Sequence, residues 1–135
     1  MEALLLAGGK AERLGDAAQG HPKPLVPVAG YPLAGDMALR TGWGSDKYLL
    51  LAIGGFHPRF TPPPGFPALR RLSLTAGDNP SLQLDAYFAL TSNTAQVGAH
   101  VHLAYHGGGF DITAQLGFDA LFEFVPFHFE IEIAA

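Results

Sequence analysis

Two groups of residues are of types and spacings that could do chemistry. The first is Gly8-Gly9 with Arg13 and Lys23. Glycines that follow an apolar run let the backbone approach a phosphate and offer it amide N–H groups. Arg13 would bring a planar fork to that anion and Lys23 a mobile point charge. Prolines at 22, 24, 27 and 32 hold Lys23 in a stiff extended segment, which lowers the entropy cost of presenting it. The second group is His100, His102 and His106. Residues i and i+2 of a strand share a face, so His100 and His102 could hold one ion, with Asp111 or Glu130 as facing carboxylates. The plainer reading is that these histidines populate the polar face of a sheet, and no metal ligand is assigned. Asp119 and Glu123 would pair as acid and base only on a helix, and that stretch is too short for one. His57, beside Pro58, reads as a loop residue that stabilises a turn.

These residues need elements to position them. Ala3 to Leu6 is a short continuous apolar run, as expected of a buried parallel strand. A long helix after Leu33 is disfavoured by Gly35, Gly42 and Gly44. From Asp36 onward the hydrophobic period is 2. Tyr48 to Ile53 is an apolar run that ends at Gly54-Gly55. Residues 61–67, Thr-Pro-Pro-Pro-Gly-Phe-Pro, predict a rigid surface loop. Strict alternation then recurs in four segments, around 82–90, 97–105, 110–118 and 127–133. Thr91 to Thr94 and Gly107 to Gly109 are the turns between them. Only Ala120 to Phe124 suits a short helical turn, ended by Pro126. The expected fold class is therefore mainly β: an antiparallel amphipathic meander over about residues 36–135, preceded by a short strand-loop segment over residues 1–35.

Composition narrows the function. Apolar residues make up 48% and charged residues 15%, too hydrophobic a balance for disorder. The net charge of −4 leaves no basic footprint for nucleic acid. Cysteine is absent, which excludes disulfides and thiolate chemistry. No basic leader precedes the brief apolar run Ala3–Ala7, so neither a signal peptide nor a membrane span is expected, and a cytoplasmic location is the default. The meander's apolar face needs a cover, and no amphipathic helix is on offer. Self-association, or a protein partner on that face, is expected. The last strand stops at Ala134-Ala135 without a polar tail, which reads as a cut within a larger β-protein or a fusion.

Leu6-Ala-Gly-Gly9 with Arg13-Leu14, followed by Pro22-Lys-Pro-Leu-Val-Pro-Val-Ala-Gly-Tyr-Pro-Leu33, resembles the N-terminal signature of the sugar-phosphate nucleotidyltransferases. That resemblance covers about a quarter of the chain. It implies a Rossmann-like start in which Leu6, Ala7, Gly8 and Gly9 hold a nucleoside triphosphate. Arg13 and Lys23 would bind its phosphates and act in catalysis, with Mg²⁺ as cofactor and a sugar phosphate as acceptor. Ala11-Glu12 depart from the Gly-Thr or Gly-Ser that this family usually has before its arginine. The carboxylates that nucleotidyl transfer needs for its metal have no identifiable source after Leu33. Residues 36–135, through Phe56-His-Pro-Arg-Phe60, Asp85 to Thr94 and Leu116 to Phe122, resemble a family of very large, uncharacterised bacterial β-rich proteins, which implies no activity.

Three readings follow. One is a non-catalytic β-rich structural or interaction module with a vestigial nucleotide-binding leader. The second is a truncated or degenerate nucleotidyltransferase. The third is a composite chain, arising from gene fusion, frameshift or assembly error, with no selected function. The second requires Mg²⁺-dependent triphosphate binding that Arg13→Ala and Lys23→Ala each abolish. Isothermal titration with the common triphosphates checks it, and a flat trace removes the enzyme reading.

Overall fold

The computed structural model describes residues 2–7, 9–10, 22–23, 26–28, 31–45 and 47–135. The described residues form strands, turns and loops and contain no helix. The strands are β1 (Glu2–Ala7), β2 (Gly9–Lys10), β3 (Pro22–Lys23), β4 (Val26–Val28), β5 (Tyr31–Ala34), β6 (Met37–Gly42), β7 (Tyr48–Ile53), β8 (Leu72–Ala76), β9 (Ser81–Thr91), β10 (Thr94–Gly107), β11 (Phe110–Glu123) and β12 (His128–Ala134). Ten of them build one antiparallel sheet, and β2 pairs with β3 separately.

The sheet follows from the alternation and the turns. β9 to β12 form the expected meander, with Val97 opposite both Phe88 and Ala120. Asn93, in the tight turn between β9 and β10, binds both backbone groups of Val125, at 3.1 and 2.9 Å. These two bonds tie the turn to the end of β11. The outer edge of β9 has two partners. Phe88 to Thr91 pair with β7, and Leu82 to Ala86 pair with β8. Next to this split row lies a second one, in which β6 pairs with β7 and β5 with β8.

Residues 54–71 leave the sheet between β7 and β8 and return to the same row, as an Ω-type loop does. Gly54 makes the exit. Its φ is +71°, and a Cβ there would stand 2.8 Å from the Leu72 backbone nitrogen. Asp36, between β5 and β6, closes the loop's base. Its carboxylate accepts from the Arg70 guanidinium at 2.7 and 2.9 Å and from the Arg70 backbone N–H at 2.9 Å. Its carbonyl accepts from Gly54 N–H at 2.8 Å. One aspartate thus grips both ends of the excursion.

Cross-strand partners share a face, so the register assigns every side chain. On one face Ala38, Ala52 and Ala89 stand in line, each fully buried, and the line continues through Gln96 to Leu121. The loop lies over this trough of small side chains. It bonds to Arg40 of β6 at one side and pairs with Glu130 of β12 at the other. Phe56, Phe60 and Phe66 cluster within it at ring separations of 5.0 and 5.2 Å. Apart from Ala120, the buried side chains of the sheet are therefore on the face that also carries its acids and histidines.

The opposite face bears only apolar side chains, threonine and tyrosine across β5–β12. Every strand residue among the exposed large hydrophobics belongs to it, from Tyr31 and Leu49 through Leu116 (59% exposed) to Ile133 (72%). Nothing among the described residues covers it.

Two expectations are corrected. β1 is antiparallel to β6, with Leu5 opposite Leu39, so the opening strand is not part of a parallel sheet. Parallel pairing needs a long crossover, usually helical, and the described residues supply none. β1, β4 and β5 also join the same sheet as the strands after residue 36. Ala120 to Phe124 is not a helical turn: β11 runs straight through to Glu123. Pairing with β10 on one side and β12 on the other overrides any local preference there.

The Arg70 hydrogen bonds hold the Asp36 carboxyl below the usual carboxylate range, against a smaller opposing effect of burial. A depressed folded value stabilises the protein above the ordinary value near 3.8, and that gain is lost as pH falls through the folded one. Asp36→Ala should therefore speed amide exchange and proteolysis across residues 54–71 at neutral pH, with β9–β11 far less changed. Exchange mass spectrometry reads the contrast, and uniform change would refute a local clamp.

Candidate functional site

The polar chemistry converges beside the loop, on β9, β10 and β11. Tyr87, Gly98 and Asp119 stand directly opposite one another on three adjacent strands. Gly98 lets the Tyr87 ring lie across β10: a Cβ there would overlap the ring and come within 2.7 Å of Asp119 Oδ1. The Tyr87 hydroxyl then donates to Asp119 Oδ1 at 2.7 Å, skipping a strand. A second glycine repeats the device. The His100 ring lies over Gly117, whose Cβ would meet its Nδ1 at 2.7 Å, and His100 Nε2 reaches Asp119 Oδ2 at 3.0 Å. Aromatic rings laid over strand glycines recover packing that the glycines forfeit.

The loop completes the cluster from above. The Arg71 guanidinium sits 4.0 Å from the centre of the Tyr87 ring, a cation–π contact, and donates to the Gly54 carbonyl at 3.0 Å. His57 is 2% exposed and packs edge-on to Tyr87 at 6.5 Å. Its backbone N–H donates to Gln96 Oε1 at 2.9 Å, and Gln96 Nε2 donates to Thr94 Oγ1 at 2.9 Å. His57 Nδ1 accepts from the Arg59 N–H at 3.1 Å, the turn-stabilising role expected of it. Nδ1 is thus an acceptor, which leaves the proton of the neutral ring on Nε2, a buried atom with no partner among the described residues.

Electrostatics follow from these contacts. Burial raises the Tyr87 hydroxyl, and the Asp119 carboxylate beside it raises it further, so it stays protonated as a donor. Burial also pushes Asp119 up, but the Tyr87 and His100 hydrogen bonds outweigh it and hold the carboxyl below its usual range. Next to the cluster is a recess of about 190 Å³ bounded by Asp85, His100, His102, Gln115, Gly117 and Ala134. Gln83 Nε2 donates to Asp85 Oδ2 at 3.0 Å on its rim.

This arrangement joins three strands through side chains. Both Asp119 oxygens are engaged, and the Nδ1 edge of His100 is turned onto the Gly117 backbone. The carboxylates considered for a metal are committed elsewhere. Asp111 pairs with His106 at 3.0 Å, and Glu130 pairs with Arg59, so neither faces His100 and His102. No group of three metal-ligating residues occurs among the described residues. Asp119 and Glu123 are four residues apart on a strand, about 13 Å, too far to act as a pair.

Of the nucleotide-site residues, Leu6 and Ala7 end β1, and Gly9 stands opposite Lys23 in the β2–β3 pair. Gly8 and Arg13 lie outside the described residues. Sequence reasoning missed the Tyr87–Asp119–His100 cluster. The signal was present in the turns: centring the hairpins on Ser92-Asn93 and Gly108-Gly109 sets residues 87, 98 and 119 in one line.

A model described as a family of unknown function, DUF6603, matches residues 17–135. No curated protein and no solved structure matches the chain. No helix among the described residues is long and apolar enough to cross a membrane.

Gly98→Ala should destabilise the fold by about 1–3 kcal/mol, because the added methyl group meets the Tyr87 ring. Asp119→Asn should be less stable than the parent at pH 5–7, with the gap closing as pH falls below the ordinary value near 3.8. Urea unfolding over that range tests both. A gap for Asp119→Asn that does not change with pH would remove the charge from the account.

Proposed function

We propose, for a chain that belongs to DUF6603, a family of unknown function, that it is a non-catalytic β-sheet interaction module. Its working surface is the open apolar face of β5–β12. One observation carries this reading. The long 54–71 loop lies on the polar face and leaves the apolar face bare, although that face holds all the large exposed hydrophobics of the described strands. Monomers rarely expose contiguous apolar patches beyond about 300–600 Å², and larger ones mark interaction sites. The two split rows and β9–β12 make six rows about 4.8 Å apart, and strands of about nine residues rise about 30 Å. The face therefore measures about 900 Å² in projection.

The polar face supports the same reading. There Asp119 joins Tyr87 and His100, and Glu130 pairs with Arg59 of the loop, which stiffens the sheet behind the working surface. The residues before β5 take no catalytic part in this proposal.

The test uses a face residue as reporter. The chain has no cysteine, so Leu116→Cys is a single clean probe. An engaged face protects that thiol from a small alkylating reagent, whereas a free but adhesive face takes up an apolar fluorescent dye. Either result is expected, and Leu116→Glu should remove it. A face that labels as fast as Thr61→Cys in the exposed loop, and that also takes up no dye, would overturn the proposal.

A further inference from the structure

We infer that the occupant of the open face is a second copy of this chain, packed sheet on sheet about a two-fold axis; the inference rests on the interaction-module reading above. The first argument is area. Two faces of about 900 Å² would bury about 1,800 Å² together, within the range of about 1,200–2,000 Å² for stable, specific interfaces. The second is charge. From β5 to β12 the face carries no acid, base or amide, whereas Asp85, His100, Asp119, Glu130 and Glu132 all lie on the other side. A partner chosen by charge would find nothing to read. In a two-fold contact each patch meets itself, which sets like charges against each other on most surfaces but brings none together here.

Shape supplies the third argument. A broad sheet face is matched by another sheet of the same twist. Two such sheets pack about 10 Å apart with strands about 30° from alignment, and their side chains interdigitate. The open face offers the alternation this needs. Alanines at 86, 99, 114 and 120 stand among Phe88, Phe118, Phe122 and Leu116, leaving hollows between projecting rings and side chains. The loops over residues 54–71 would lie on the two outer surfaces of the pair, clear of the contact.

Sedimentation equilibrium of the full chain, from about 1 to 100 μM, tests the inference. The expected result is a dimer that Leu116→Glu weakens at least about tenfold and that His102→Glu, on the opposite face, leaves intact. Circular dichroism of both variants confirms the fold, and Leu116 is exposed enough for the change to be borne by a single copy. Should Leu116→Glu fail to fold, Ile131→Ser, at a site 54% exposed, serves in its place. A monomer that takes up apolar dye on this face overturns the second copy and keeps the interaction-module reading. A monomer whose face labels freely and takes up no dye removes both. A dimer indifferent to face substitutions, or open-ended oligomers joined at the β12 edge, also overturns the inference.

Discussion

The structure depends on where Asp36 holds the base of the 54–71 loop. A sheet has two faces, and among the described residues one long excursion, between β7 and β8, is available to cover them. The Asp36 carboxylate grips Arg70 at the loop's end, while its carbonyl takes the Gly54 N–H at the start. With both ends fixed on one row, the loop lies on the side to which His57, Arg59 and Arg71 tie it. That side carries the alanine trough and Gln96, and they become the buried core. The larger and more hydrophobic side is left to whatever else the protein meets.

This inverts the usual division of labour in a half-buried sheet. Ordinarily the greasy face goes inside and the polar face meets water. Here the part of the polar face beneath the loop is inside, while its far end meets water, and the buried part is tolerated because most of its groups find partners. Asp119 receives Tyr87 and His100, Gln96 receives His57 N–H, and Arg71 lies on an aromatic ring. Buried polar groups that are fully partnered rigidify and specify a core, whereas unpartnered ones are costly. Glycines 98 and 117 are the condition for this arrangement. They remove side chains at the points where rings must pass from one strand to the next, so the network spans three strands without distorting the ladder.

Much of this fold was legible in the sequence, and some of it was not. Alternation marked the strands from Leu82 to Ile133, and the turns at Thr91–Thr94 and Gly107–Gly109 set their order. Periodicity also sorted the side chains correctly between two faces. It could not say which face the chain would cover, because that depends on a contact between residues 36 and 70 that no local pattern announces. The apolar run Ala3–Leu6 looked like a parallel strand because buried parallel strands and sheet-edge strands can have the same composition. The site was missed for a related reason. Tyr87, His100 and Asp119 form no motif in sequence, and only the register shows that one line joins them.

The split row opposite β9 has a further consequence. β7 and β8 share one partner strand, and the loop between them begins and ends at nearly the same point of the ladder. Its length is therefore uncoupled from the register. Residues can be added or exchanged at the exposed tip, Thr61 to Gly65, without moving a single cross-strand pair, provided Gly54, His57, Asp36, Arg70 and Arg71 keep the gate. The sheet behaves as a chassis with one socket. What fills the socket can change while the broad face behind it stays as it is.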